Sequence, residues 1–131
     1  MLAMIFLAAT ASPAQSKKEI REHGIASITV QEYFLEEGMV DPVVESIEHY
    51  NKDGALIELK EFKKTGEVRR WEKYGYDEDG NLVEEVFLDE KGRIETTEKN
   101  IYKGNLRVEK QYYNNRGDLF KKKVYKYEYH K

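Results

Sequence analysis

The chain has 131 residues, 22 Lys and Arg against 25 Asp and Glu, a net charge of −3 and no cysteine. One domain is the natural size, and a uniformly basic nucleic-acid binder, an acidic solvating tail, a disulfide framework and a thiol or cysteine-metal chemistry are excluded. Charged residues make up 36% and aromatics 12%, ten of them Tyr, which is too aromatic for a disordered chain and too charged for a large dry core.

The first element is an address. Met1–Ala14 carries no charged side chain and is apolar or small from Leu2 to Ala11. Ser12 and Ala14 supply small residues at −3 and −1, so the segment reads as a secretory signal peptide cleaved after Ala14, although the usual positive n-region is missing and the true start can lie upstream of Met1. The run is too short to span a bilayer, which predicts no membrane span. The mature domain is then 15–131, secreted or periplasmic.

Ser16 and Glu19 have capping-box spacing, with Gly24 placed to end a short helix. Residues 25–35 read as a strand, Glu36-Glu37-Gly38 as a turn, and 43–50 as the next strand, with Pro42 at its start because it has no N–H to donate.

From there the chain repeats. Gly54, Gly66, Gly80, Gly92, Gly104 and Gly117 recur at steps of 12, 14, 12, 12 and 13 residues, and an aliphatic residue stands two positions after each: Leu56, Val68, Leu82, Ile94, Leu106 and Leu119. Polar triplets precede five of the glycines, led by Asn51, Lys63, Asp77, Asp89 and Asn114. An Asp or Asn that accepts from the backbone two residues on, followed by Gly in the left-handed region, closes a type I turn with a G1 bulge. Lys103-Gly104 is one residue shorter and predicts a tighter two-residue turn. The intervening segments have strand length. The spacing of Leu56, Leu59 and Phe62 also fits a helix, but a helix there would begin and end inside the turn repeat. The prediction is an all-β, up-and-down antiparallel meander of about eight strands: 25–35, 43–50, 55–62, 67–76, 81–88, 93–102, 105–113 and 118–129.

Simple alternation places Leu56, Glu58, Lys60, Arg70, Glu72, Tyr74, Glu84, Glu98, Lys110, Tyr112, Lys121 and Lys123 on one face. Leu59, Trp71 and Phe87 fall on the other. Neither face is dry, which predicts a single twisted or curled sheet rather than a sandwich or barrel.

Tyr76–Leu82 (YDEDGNL) resembles the YD repeat of Rhs-type proteins, whose core is Y-D-x-x-G-x-L; Tyr50–Leu56 and Tyr113–Leu119 are similar, with Asn for Asp. The repetition is also similar to the MORN-like hairpin repeats of secreted bacterial proteins. The resemblance covers residues 50–125 and implies extracellular β-hairpin repeats and association with carbohydrate or a cell surface. Six units are too few to wrap a cargo, so encapsulation is not implied.

Catalytic signatures are missing: His23, His49 and His130 lie far apart, and no nucleophile elbow or phosphate loop is present. Asp77, Asp79, Asn81 and Glu84 are better read as an Asx turn than a calcium loop, because Gly80 falls at the fourth loop position instead of the sixth and Leu88 stands at position 12, where a bidentate Glu is needed. The reading is non-catalytic, with no cofactor and no metal.

Charge is segregated. Residues 15–98 carry 12 basic and 22 acidic side chains, whereas 99–131 carry 10 basic and 3 acidic ones, together with six tyrosines. Candidate ligand-binding residues are therefore Trp71, Tyr112, Lys121, Lys122, Lys123, Tyr125, Tyr127 and Tyr129, with the last three tyrosines expected as a ladder on one strand. The functional expectation is an exported binding or scaffold module of the bacterial envelope that recognises a partner protein. An acidic surface glycan bound by the basic Tyr-rich C-terminal strands is the alternative, an enzyme of unknown type the second alternative; self-association through opposite charges is also expected as an option, and export disfavours nucleic acid.

Overall fold

A computed structural model of the chain describes residues 16–38 and 40–131. The proposed signal segment lies outside the described residues. Helix α1 (Lys17–Glu22) is followed by β1 (Ser27–Glu32), a 3₁₀ turn (Leu35–Glu37), β2 (Val43–Tyr50), β3 (Leu56–Phe62), β4 (Val68–Tyr76), β5 (Leu82–Leu88), β6 (Ile94–Lys103), β7 (Leu106–Tyr113) and β8 (Leu119–Val124). The eight strands form one antiparallel sheet in sequence order, with β1 and β8 at opposite edges and the sheet not closed. No described helix is long and apolar enough to cross a membrane.

The local predictions rest on bonds that form. Ser16 Oγ accepts from the Glu19 N–H at 3.1 Å, and Glu19 reaches back to the Ser16 N–H at 3.4 Å, a complete capping box. At five turns the first residue both donates to the fifth and accepts from the glycine, as in Asp77 N–H to Asn81 O at 3.0 Å and Gly80 N–H to Asp77 O at 3.1 Å. Lys103 pairs with Leu106, so Gly104 and Asn105 form the two-residue turn.

The helix closes one end of the sheet. Ile20 is its buried residue, and the β2–β3 turn is pressed against it: a Cβ on Gly54 would stand 2.3 Å from the Lys17 carbonyl. Gly54 also has φ +86, so both its backbone and its surroundings demand glycine.

Little apolar surface is fully enclosed. Ile20 and Leu59 are the buried hydrophobic residues among those described, beside buried Glu48, Glu72 and Asn100. The sheet is held by cross-strand pairs, each worth roughly 0.2–1 kcal/mol.

The predicted face assignment needs correction. Leu59 lies opposite Glu72, and Lys60 opposite Trp71. Glu48, Leu59, Glu72, Phe87 and Thr96 therefore form a row on one face, the front; Ile47, Lys60, Trp71 and Leu88 form a row on the back. Glu58 and Glu84 also belong to the back, opposite His49 and Lys99. The physical reason is a register shift at nearly every hairpin. Tyr50 pairs with Leu56 while His49 pairs with Glu58, and the same slip falls at Val68, Leu82, Ile94 and Leu119. These are the aliphatic residues two positions after a glycine. One extra residue reverses the alternation for the rest of the strand.

Two strands are shorter than predicted. Residues 33–38 leave the sheet after Glu32, where Phe34 stacks with Lys64 Nζ 4.4 Å from its ring centroid and Glu37 pairs with the same ammonium, tying this connection to the β3–β4 turn. β8 ends at Val124 rather than residue 129. Tyr125 still donates its N–H to Val108 O at 3.0 Å, but the next tie is made by a side chain, the Tyr127 hydroxyl donating to Arg107 O.

Candidate functional site

The front face carries one continuous polar row across five strands: Tyr74 on β4, Glu85 on β5, Glu98 on β6, Tyr112 on β7 and Lys121 on β8, each directly opposite the next. A second row, Asn100, Lys110 and Lys123, runs beside it. The register thus sets acid on the middle strands next to base on the last two.

Lys110 joins the two halves. Its ammonium lies 2.9 Å from Glu98 and 4.0 Å from Glu85, with the side chain only 18% exposed. Burial works against the charged ammonium, but the hydrogen bond with Glu98 and the charges of Glu98 and Glu85 outweigh it, and the Lys110 pKa is raised. Burial raises the Glu85 carboxyl; Lys110 opposes this, and Glu98 and Glu72 reinforce it. Further along, Glu72 accepts from the Tyr74 hydroxyl and from both nitrogens of an Arg70 fork, while Arg70 also lies 3.6 Å from Glu61. The front-face acids of the middle strands, Glu72, Glu85 and Glu98, therefore each have a basic partner.

The basic end differs. Lys121, Lys110 and Lys123 hold their ammonium groups 4.2, 5.6 and 5.7 Å from the Tyr112 ring centroid, and Phe120 tilts against the same ring at 6.4 Å. Cation–π attraction keeps these ammonium groups clustered. Among the described residues neither Lys121 nor Lys123 forms an ion pair, and both side chains are exposed.

The candidate residues separate accordingly. Tyr112, Lys121 and Lys123 come together on the front. Lys122 points to the back, where its ammonium is 3.8 Å from Glu109. Trp71 is also on the back, four strands away on β4; it donates Nε1–H to Glu58 at 2.8 Å and lies under Lys60 at 3.9 Å. The strand ladder of Tyr125, Tyr127 and Tyr129 does not form, since β8 stops before them. Arg107 covers the Tyr125 ring at 4.5 Å, Tyr127 is tied to Arg107 O, and Tyr129 is 74% exposed. Lys110 and Arg107 were not singled out from the sequence. Lys110 shares the alternation of Tyr112 with Lys121 and Lys123, which was the available signal; nothing in the sequence marks Arg107.

The turn residues Asp77 and Asp89 are engaged by their own loops. Asp77 Oδ1 accepts from the Asp79 and Asn81 N–H groups, both at 2.9 Å, and Oδ2 accepts from the Asn81 side chain. Asp89 does the same with Lys91, Arg93 and the Arg93 guanidinium. These bonds lower both pKa values, the Asn81 and Arg93 backbone bonds contributing most. Against known proteins, the chain matches no family model and no curated sequence.

Proposed function

We propose that the protein is a non-catalytic, exported binding module whose front face recognises an acidic segment of a partner protein. One observation carries the reading: among the described residues Lys121 and Lys123 are clustered around Tyr112 with no carboxylate of their own, beside middle strands whose front-face acids Glu72, Glu85 and Glu98 already have basic partners. An incoming carboxylate would meet two exposed ammonium groups without first breaking an internal ion pair. The YD-like turn repeat supports an extracellular setting for such a sheet.

An acidic glycan of the cell surface is the second reading, favoured by the exposed Tyr129 and Phe120 rings. Sugar stacking needs a bare ring face, and Tyr112 and Tyr125 already have cations over theirs, which weighs toward protein carboxylates.

Retention on immobilised poly-L-glutamate and on an acidic polyuronate separates the two. The proposal expects salt-sensitive retention on poly-L-glutamate that Lys121→Glu/Lys123→Glu abolishes and Lys122→Glu leaves largely intact, because Lys122 is on the other face. Retention confined to the polyuronate selects the glycan. No retention on either at low salt, or equal loss in the Lys122 variant, overturns both.

A further inference from the structure

The two edges of the open sheet match each other. In an antiparallel ladder the residues of a strand alternate between bonding to one side and to the other. Tyr125 N–H bonds to Val108 O, so the odd residues of β8 face β7 and the backbone groups of Lys122 and Val124 point outward. Tyr50 N–H bonds to Ala26 O, so Ser27, Thr29 and Gln31 point outward from β1. Among the described residues nothing pairs with these groups, so both edges present free donors and acceptors, the standing invitation of an open sheet.

Direction and face agree as well. β1 and β8 are the first and last of eight alternating strands, so β1 of a second copy laid along β8 with its front face on the same side is antiparallel to it. Setting Lys122 opposite Gln31 and Val124 opposite Thr29 joins the free backbone groups. The same register brings Lys121 opposite Glu32 and Lys123 opposite Val30 on the front face, and Val124 beside Thr29 on the back.

We propose that β8 of one copy pairs with β1 of the next, continuing the meander head to tail, with Lys121 set against Glu32. Charge complementarity selects a second copy as the occupant: β8 is LFKKKV, its front lysines have no carboxylate, and the β1 edge holds Glu32 close to Glu45. The Glu45 pKa is raised, by burial first and then by the Glu32 carboxylate beside it, with Arg69 opposing. The contact is heterologous: each copy leaves one donor edge and one acceptor edge free, so assembly extends until a ring or filament results.

Val124→Pro and Thr29→Pro each remove an outward N–H and leave the internal ladder intact. In sedimentation velocity at low salt, the full chain is expected to show mass that grows with concentration and falls with added salt. Either proline variant alone is expected to stay monomeric, and a mixture of the two to form a heterodimer and nothing larger, since each supplies the edge the other lacks. If either proline variant fails by circular dichroism to fold, charge reversal replaces it: Lys121→Glu and Glu32→Lys each weaken assembly and the double variant restores it. A wild-type chain that stays monomeric up to its solubility limit, or a Thr29→Pro variant that still dimerises with itself, overturns the proposal. Poly-L-glutamate retention reads the front face independently, so a monomer that still binds it refutes the edge contact alone.

Discussion

The Tyr102 hydroxyl donates to the carbonyl of Leu82 at 2.9 Å, and Leu82 is the residue at which the strand register slips against Tyr76. The same relation recurs on either side. Tyr76 donates to Leu56 O at 2.7 Å, where the register slips against Tyr50, and Tyr127 donates to Arg107 O, where it slips against Tyr102. A bulge disrupts the ladder and leaves a backbone group without its regular partner. Tyr76 and Tyr102 thus each pair with one bulge and clamp the carbonyl of the one before, while Tyr127, beyond the last strand, supplies only the clamp. The structural unit is a two-strand hairpin, with its clamp at one end of the sheet.

The clamps predict graded losses. Tyr76→Phe deprives Leu56 of the hydroxyl and should cost about 1 kcal/mol, the usual net value of such a hydrogen bond. Tyr102→Phe should cost clearly less, because Asn100 Nδ2 also donates to Leu82 O at 3.0 Å and remains to satisfy it. Urea unfolding of the two variants and of Tyr102→Phe/Asn100→Ala measures the difference. Equal losses in the two single variants would show that the second donor does not substitute for the first.

Strand existence, order and turn type were legible in the sequence because they depend on local chemistry: an Asx residue, a glycine and a strand-length gap. Side-chain facing was not, because the bulge at Leu56, Val68 or Leu82 changes the alternation, and the aliphatic residue two positions after each glycine marks its place without revealing the extra residue; Leu59 and Phe87 cross to the front as a result. The clustering of Tyr112 with Lys121 and Lys123 was legible because no bulge separates the lysines and their pairing partner is set by one turn. The role of Lys110 was hidden, since its value comes from Glu98 and Glu85 on two other strands. The Tyr127 tie was hidden for the same reason: its acceptor is a carbonyl freed by a bulge.

Gly54 and Gly66 both have positive φ, +86 and +95, yet they should tolerate alanine very differently. At Gly66 a Cβ meets nothing within 4 Å, so Gly66→Ala should cost only the backbone strain, about 1–2 kcal/mol. At Gly54 the same strain adds to a collision with the Lys17 carbonyl, and the total should reach about 3 kcal/mol or more, with the helix displaced from the turn. Thermal denaturation orders the two, and amide exchange at Ile20 reports whether the helix has moved.

Several tyrosines make the fold sensitive to alkali. Burial, with the charge of Glu85, pushes the Tyr76 phenol up to about 12; burial and hydrogen bonding to Glu72 raise Tyr74 further, and burial next to Glu48 raises Tyr50. A raised folded-state pKa contributes stability that is complete below the ordinary value near 10 and is lost as pH rises through the folded value. Unfolding free energy should therefore fall between about pH 10 and pH 12, and Tyr76→Phe should reduce that slope. Denaturation midpoints across this range test it; a flat profile would mean that these phenols ionise alike in the folded and unfolded chain.

Lys110 should matter more than its single charge suggests. Replacing it with Met keeps much of the side-chain volume but leaves Glu98 and Glu85 without their shared cation, and an uncompensated, partly buried carboxylate costs about 1–3 kcal/mol. The loss should be pH-dependent. The Glu85 carboxyl already has a raised pKa from burial, against the pull of Lys110, and removing the lysine must raise it further. A carboxyl whose folded pKa is raised is least costly when protonated, so its penalty appears as pH rises through the folded value and vanishes below the unfolded one. Lys110→Met should accordingly destabilise the protein strongly at pH 7 and little at pH 4, while Lys110→Met/Glu85→Gln recovers part of the loss at pH 7. Equal destabilisation at both pH values would assign the effect to packing of the lysine stem instead of to its charge.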